Sequence, residues 1–225
     1  MKLGILAGVV VLAGVVIHAG ADDKKLIYAD FEKVENGRPV SARGGAIGLW
    51  SYEEDHVHKS TFKGAAGVDP PAPELVHIKP NDPNHAAKFD YSLLFPNQYA
   101  GVALEIHGLP DANGAAQSED VSGYKYLSLQ VYATGIRILR LETRTNESGK
   151  DTRSVYPQYT FEVKPGFNTY RVELSRFTQP SWADIRVDPN DVLKKLTSVA
   201  LSAFCDQCEQ NHQGMVIVDN VTFEK

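Results

Sequence analysis

Two runs of alternating apolar and polar residues, separated by Thr134-Gly135, stand out between residues 120 and 144. A period of two is typical of half-buried β-strands, and glycine supplies the backbone freedom that a tight turn needs. The apolar positions are Leu127, Leu129, Val131, Leu139 and Leu141, and the opposite positions carry Gln130, Tyr132, Arg140, Glu142 and Arg144. The pattern predicts two strands joined by a tight turn, whose apolar face must be covered by a second sheet.

Similar short runs continue along the chain, with turns rich in proline, glycine and asparagine between them. The predicted strands are Leu26–Phe31, Ala46–Tyr52, Leu75–Ile78, His85–Tyr91, Tyr99–His107, Gln158–Val163, Asn168–Leu174, Thr197–Phe204 and Met215–Phe223. The two runs on either side of Lys164-Pro165-Gly166-Phe167 predict a hairpin, and only Asp191–Leu196 has a helical pattern. This spacing predicts an all-β sandwich of antiparallel sheets rather than a parallel α/β sheet.

The first 21 residues have the pattern of a secretory signal peptide. Lys2 is followed by the apolar run Leu3–Ile17 and by Ala19-Gly20-Ala21, a small-x-small cleavage pattern. A bilayer span needs about 20 apolar residues, so the shorter run favours cleavage before Asp22 over retention as an N-terminal anchor. We therefore expect a secreted or periplasmic protein whose residues 22–225 form a single domain.

Composition mainly excludes classes of partner. The 225 residues are 43% hydrophobic, which is enough for the core of one large β domain. The net charge is -5, or -6 without Lys2, and no run of Lys or Arg is present, so nucleic acid is not an expected partner. We expect a monomer that has no stable membrane insertion once the signal is removed.

Four segments carry a family resemblance by their order and spacing between residues 30 and 223. They are Asp30-Phe31-Glu32, the segment 120–127 (DVSGYKYL), the segment 169–177 (TYRVELSRF) and Val218-Asp219-Asn220-Val221. Together they resemble the carbohydrate-binding modules of family 11, which are β-jelly rolls similar in fold to galactose-binding-like domains. The resemblance implies a non-catalytic module that holds a β-glucan or another polysaccharide or oligosaccharide in a concave cleft.

The resemblance also implies which residues line that cleft. They are Tyr99, Arg140, Glu142, Tyr156, Tyr159, Trp182 and Trp50. Aromatic rings stack on the C–H face of a pyranose, while Arg and Glu offer fork-shaped hydrogen-bonding groups to its hydroxyls. Two alternatives remain open: the tyrosines are core rings with satisfied hydroxyls, or the charged residues from Arg140 to Arg144 form a solvated strand face.

The last loop departs from the family pattern, which carries a ligand-contacting tyrosine there. It reads Phe204-Cys205-Asp206-Gln207-Cys208, and in an exported chain this spacing predicts a disulfide between Cys205 and Cys208. A redox site would need Cys205 at a helix N-terminus. A zinc site with His212 would have three ligands where zinc usually takes four.

A structural calcium ion is a further implication of the resemblance. Asp30 or Glu32 would lie on a strand adjacent to that of Asp219, and carboxylate oxygens suit this hard cation. The alternative is that Asp219-Asn220 only begins a turn.

An enzyme is the main competing class, because jelly rolls also host polysaccharide lyases. Those carry a Gln-Ile/Val-His strand, but here Glu105-Ile106-His107 replaces it and the Arg-rich strand follows it instead of preceding it. A glycoside hydrolase needs two carboxylates about 5–10 Å apart, and Glu105, Glu142 and Asp151 are available. No phosphate-binding loop, nucleophile elbow or HExxH motif is present. A third class is a structural or protein-binding exported domain without affinity for sugar.

Overall fold

The fold is described by a computed structural model that covers residues 24–52, 60–94, 98–108, 110, 112, 114, 116–146, 156–205 and 212–225. In this part of the chain the strands are β1 Lys25–Ala29, β2 Val34–Glu35, β3 Arg38–Pro39, β4 Ile47–Tyr52, β5 Thr61–Lys63, β6 Glu74–His77, β7 His85–Leu93, β8 Gln98–Glu105, β9 Tyr126–Ala133, β10 Ile138–Arg144, β11 Gln158–Glu162, β12 Asn168–Glu173, β13 Ser198–Cys205 and β14 His212–Glu224. A 3₁₀ turn at Leu174–Arg176 and the helix α1 Pro189–Lys194 complete the described elements. The predicted all-β class is confirmed.

The strands form two large antiparallel sheets, together with a small ribbon of β2 and β3. The five-stranded sheet has the order β11-β10-β13-β8-β4. The seven-stranded sheet follows β12-β9-β14-β7-β5, with β1 added to β14 and β6 added to β7. The two sheets pack as a jelly-roll sandwich, and the Tyr28 hydroxyl in β1 donates across the core to the carbonyl of Leu104 in β8 at 2.6 Å.

The core lies between the two sheets and is built by the period-two pattern. Leu127, Leu129 and Val131 of β9 are buried, as are Leu139 and Leu141 of β10. Each fully buried side chain of this size contributes about 1.5–3 kcal/mol relative to an exposed one. The predicted apolar face is therefore confirmed residue by residue.

The predicted pairing of β9 with β10 is wrong. The turn at Gly135 carries the chain from one sheet to the other, so β9 pairs with β12 and β14 while β10 pairs with β11 and β13. As a result, Gln130 and Tyr132 lie on the seven-stranded sheet, and Arg140 and Glu142 lie on the five-stranded sheet. One strand pattern fits both arrangements, because alternation fixes which side of a strand is buried and not its partner.

The predicted hairpin around Lys164-Pro165-Gly166-Phe167 is wrong for the same reason. β11 pairs with β10 in one sheet, whereas β12 pairs with β9 in the other. The helix α1 begins two residues earlier than predicted, because Asp188 caps it: the side chain of Asp188 accepts from the amide of Asn190 at 2.8 Å. Proline at the first helical position suits this start.

Several predictions fall on residues that the structure does not describe. These are the signal segment 1–21 with its cleavage before Asp22, the carboxylate of Asp151, and the disulfide, since Cys208 and the side chain of Cys205 are outside the described set. No helix among the described residues is long and apolar enough to cross a membrane. The predicted export and disulfide stay predictions.

Candidate functional site

The candidate site lies on the outer face of the five-stranded sheet, meaning the side that points away from the core. Strand register aligns the residues of this face in rows that run across the sheet. The first row is Tyr52, Tyr99 and Phe204; the second is Trp50, Gly101, Ser202, Arg140 and Thr160; the third is Gly48, Ala103, Ala200, Glu142 and Gln158. Four of the seven predicted cleft residues, Trp50, Tyr99, Arg140 and Glu142, are thus brought together although they are up to 92 positions apart in the chain.

Small residues in the middle of this face leave room for two long side chains from β10. Gly101 and Ser202 lie between Trp50 and Arg140, and Ala103 and Ala200 occupy the next row. Arg140 reaches over them, and its Cζ lies 4.3 Å from the centroid of the Tyr99 ring on β8. The two arginines of β10 therefore lie across the sheet and do not extend from it.

Each arginine is held between two aromatic rings. Arg140 Cζ is also 4.5 Å from the Phe204 ring, while Arg144 Cζ lies 4.5 Å from Trp50 and 4.9 Å from Tyr156. A guanidinium within about 6 Å of a ring centroid gains a cation–π attraction of about 0.5–2 kcal/mol, more when it is desolvated. Trp50, Tyr99 and Tyr156 thus contact the arginines, and Trp50 and Tyr99 also contact each other.

Glu142 joins the two arginines into one network. Its Oε1 lies 3.0 Å from Arg140 Nε, and its Oε2 lies 2.9 Å from Arg144 Nε and 2.5 Å from Arg144 Nη2. The contact with Arg140 is an ion pair but not a hydrogen bond, so Arg140 Nε keeps an unmade bond. The side chains of Arg140 and Glu142 are only 9% and 8% exposed. A solvated strand face is therefore the wrong interpretation of these charges.

Burial also changes the acidity of the tyrosines in this face. Burial raises the pKa of Tyr99 to about 12, against the opposing effect of the Arg140 charge. Burial likewise raises the pKa of Tyr156, and Arg144 opposes that shift. Both hydroxyls are consequently neutral donors and acceptors at physiological pH.

Tyr52 is a member of the face that the sequence analysis missed. Its ring stacks on that of Tyr99 with centroids 4.9 Å apart and an interplanar angle of 15°, and the residue is 45% exposed. The signal was available: Tyr52 is two residues from Trp50 in the same strand and therefore shares its side. Tyr99 lies beneath it, with Trp50 packed edge-on at 5.0 Å.

Two predicted residues, Tyr159 and Trp182, lie outside these rows. Tyr159 is paired with the core residue Leu141, and its ring packs against the core 6.0 Å from that of Phe177. Its side chain therefore leaves β11 on the side opposite to Thr160, which is on the outer face. The structure therefore does not bring Tyr159 to the candidate site. The resemblance implied both Tyr156 and Tyr159 as cleft residues, and it did not determine which of the two points outward.

Trp182 lies on a loop that leaves the edge of the five-stranded sheet. The backbone of Thr178 pairs with that of Gln158 in both directions, at 2.9 and 3.0 Å, so the loop begins beside the third row. Arg186 donates to the carbonyls of Pro180 and Ser181, which fixes the loop, and Trp182 remains 69% exposed. A large apolar ring held this openly is available for contact with a ligand.

The predicted calcium ligands Asp30, Glu32 and Asp219 lie close together beside the seven-stranded sheet. Asp219 is fully buried; burial raises its pKa, and the nearby charges of Glu32 and Asp30 raise it further. A cation at this place would offset the repulsion among the three carboxylates. However, both oxygens of Glu32 already contact His85, at 2.5 Å from its amide nitrogen and 3.0 Å from its Nδ1. Both oxygens of Asp219 also accept hydrogen bonds, Oδ2 from the side chains of Asn84 and Asn220 and Oδ1 from the amide of Asn220. In the described part of the chain no three His, Cys, Asp or Glu side chains form a metal-binding group.

Comparison with known proteins identifies the fold. The structure is similar to a family 11 carbohydrate-binding module of a cellulosomal cellulase of Clostridium thermocellum, with a TM-score of 0.53 and 16% identity over 89% of this chain and 94% of that one. It is also similar to a Clostridium thermocellum family 11 module in complex with a β-1,3-1,4-mixed-linked tetrasaccharide, with a TM-score of 0.52 and 17% identity over 89% and 95%.

A family 30 carbohydrate-binding module has a similar fold, with a TM-score of 0.53 and 10% identity over 89% of this chain and 99% of that one. No protein-family model and no curated protein sequence matches the chain. At these identities the likeness is one of fold, and the chain therefore has the jelly-roll fold of carbohydrate-binding modules.

Proposed function

We propose that this protein is a non-catalytic carbohydrate-binding module whose polysaccharide ligand lies along the outer face of the five-stranded sheet. The observation that carries the proposal is the pair of exposed aromatic rings, Tyr52 and Trp182, beside a face of arginine, glutamate and buried tyrosine. The shared fold of modules from families 11 and 30 supports it. Exposed rings offer the stacking surface that the C–H face of a sugar needs.

The two rings have different supports. Tyr52 rests on Tyr99, which is itself held by Arg140, so its orientation is fixed by packing. Trp182 is held by the hydrogen bonds of its loop. Stacking contributes about 0.5–1.5 kcal/mol per ring beyond the area buried, and each hydroxyl bond replaces one to water for about 1 kcal/mol net. We therefore expect affinities nearer micromolar than nanomolar.

The state of the carboxylates favours binding over hydrolysis. Both oxygens of Glu142 face arginines, so this group has no free oxygen to exchange a proton with a glycosidic bond. His107 is paired with Glu119 at 3.2 Å, and Glu119 also bonds Arg43. A hydrolase requires one carboxylic acid and one free carboxylate, and Glu142 as held by its arginines is neither.

Affinity electrophoresis of the full mature chain against β-glucans, mannans, xylans and galactans tests the proposal. We expect retardation by at least one polymer without shortened products. Tyr52→Ala and Trp182→Ala should each weaken binding about tenfold, the loss of one stacking contact with its buried area. Tyr132→Ala is the matched control, because Tyr132 lies on the other sheet, paired with Ile217.

The outcomes separate the three classes of function. Equal weakening of binding in Tyr52→Ala, Trp182→Ala and Tyr132→Ala, or no weakening in any of them, would contradict the assignment of this face. Retardation by no polymer would favour a structural or protein-binding domain. Shortened products would favour a jelly-roll lyase or hydrolase.

We also propose that Asp30 and Asp219 hold a structural calcium ion, which would replace hydrogen bonds that Asp219 accepts from Asn84 and Asn220. A ligand that binds only the folded state stabilises it by about 2.7 kcal/mol at one hundred times its dissociation constant. The melting temperature should therefore rise on adding Ca²⁺ and fall with a chelator, and Asp219→Asn should abolish the difference. An identical melting temperature in Ca²⁺ and in chelator would contradict the site.

A further inference from the structure

Three side chains with unpartnered hydrogen-bond donors share a single row of the outer face. Trp50 Nε1, Ser202 Oγ and Arg140 Nη2 are buried and make no hydrogen bond. Register places them on β4, β13 and β10 in that row, with Gly101 of β8 between the first two. A buried polar atom without a partner has given up its hydrogen bonds to water and has made none in return, which is unfavourable. Several such atoms in one row indicate a binding site for a ligand that supplies their missing hydrogen-bond partners.

The missing group must supply acceptors. An indole N–H and a guanidinium only donate, and Arg140 Nε has an ion pair but no hydrogen bond. The acceptor at the centre of the face, Glu142, already has both oxygens beside arginines. Other carboxylates of this sheet lie at its margins: Glu162 is paired with Arg137 at 3.5 Å, and Glu105 is at the end of β8.

This inventory discriminates between neutral and anionic sugars. A sugar hydroxyl that accepts from one of these donors brings a proton of its own, and the row offers that proton the hydroxyl oxygens of Ser202 and Thr160 but no free carboxylate. A carboxylate or sulfate oxygen only accepts, and it makes stronger, charge-assisted bonds with a guanidinium.

We propose, on the basis of the proposed function, that the ligand is an acidic glycan whose carboxylate or sulfate group binds Arg140, Ser202 and Trp50. The donors are covered in the free chain, so the anionic group displaces covering side chains when it binds. Phe204 and Tyr99, which contact the Arg140 guanidinium, are the covering rings among the described residues.

A second buried hydroxyl provides an internal comparison. Thr143 Oγ1 also makes no hydrogen bond, but Thr143 alternates with Glu142 and Arg144 and so lies on the core side of β10. It is equally buried and equally unpartnered, and no ligand on the outer face can reach it. Removing it should leave ligand binding unchanged.

The test compares polymers that differ in charge alone. Affinity electrophoresis of the full mature chain would use polygalacturonate against its methyl ester for the carboxylate arm, and carrageenan against desulfated carrageenan for the sulfate arm. We expect retardation by at least one anionic polymer and about tenfold less by its neutral counterpart. Retardation should weaken as salt rises from about 0.05 to 0.5 M, because screening shortens the range of charge attraction.

The variants assign the effect to this row. Ser202→Ala removes one unpartnered donor with little change of shape, and Trp50→Phe removes another while keeping an aromatic ring beside Tyr99 and Arg144. Each should weaken binding to the anionic polymer about tenfold. Arg140→Gln should abolish the preference for the anionic polymer. Thr143→Val is the control and should bind like the wild type. If Arg140→Gln does not fold, the first two variants decide the question.

Each outcome supports or overturns the inference. Equal binding of charged and neutral polymers, or anionic binding that neither Ser202→Ala nor Trp50→Phe weakens, would overturn the acidic ligand while leaving the proposed function intact. If the wild type binds none of the polymers, both the acidic ligand and the proposed function are overturned.

Discussion

The two sheets carry the same arrangement of charges in two different environments. On the five-stranded sheet, Glu142 lies between Arg140 and Arg144, and Arg140 covers the ring of Tyr99 at 4.3 Å. On the seven-stranded sheet, Glu224 lies between Arg171 at 2.8 Å and Lys25 at 3.2 Å, and Arg171 covers the ring of Tyr126 at 3.3 Å.

Exposure separates the two networks. Arg171 and Lys25 are 47% and 58% exposed, whereas Arg140 is 9% exposed. The hydrogen bond from Arg171 and the charge of Lys25 lower the pKa of Glu224, but solvent screens such a pair to about 0–1 kcal/mol of stability. Breaking a buried pair strands a charge in a region of low dielectric and costs about 3–5 kcal/mol. Similar charged networks are therefore largely solvated on the seven-stranded sheet and part of the packing on the five-stranded sheet.

Removing the central carboxylate of each network gives the largest expected contrast. Glu142→Gln leaves the buried guanidinium of Arg140 and the 19% exposed side chain of Arg144 without a counter-charge, and it should lower the free energy of unfolding by about 3–5 kcal/mol. Glu224→Gln should lower it by no more than about 1 kcal/mol. Chemical denaturation of the two variants and the wild type measures both values. Similar losses in the two variants would contradict a difference based on burial.

Glycine replacements give a smaller contrast within the five-stranded sheet. A Cβ on Gly101 would lie 2.3 Å from the carbonyl oxygen of Leu201 and 2.8 Å from Cα of Ser202, which are closer than normal contacts. Gly101→Ala should therefore destabilise the fold by about 1–3 kcal/mol, as overpacking does in a core. Gly48→Ala is the control, because the nearest atom to its Cβ, the carbonyl oxygen of Pro71, is 3.8 Å away.

Thermal or chemical unfolding of both glycine variants checks this expectation. Equal stability of Gly101→Ala and Gly48→Ala would mean that β8 and β13 can separate to admit a methyl group, and that the middle of the outer face is less tightly packed than the structure indicates.

Local patterns determined which side of each strand is buried. Alternation identified Leu127, Leu129, Leu139 and Leu141 as core residues, because a strand's side chains point to opposite faces whatever its partners are. The same rule placed Arg140 and Glu142 together on one face. The all-β class followed from the number and spacing of such runs.

Only the tertiary structure decided which strands are neighbours, and with them the composition of the candidate site. The sequence predicts two strands joined by a tight turn at Gly135, yet this turn crosses between sheets, because a hairpin and a crossover have the same local alternation. The row from Trp50 through Ser202 to Arg140 exists only because β4, β8, β13 and β10 pair in that order. Burial of the arginines was equally hidden, since it depends on small residues of β13 and β8, one and two strands away from β10, that leave space for them. The sequence by itself thus determined the sides of the strands, and long-range pairing determined what those sides contact.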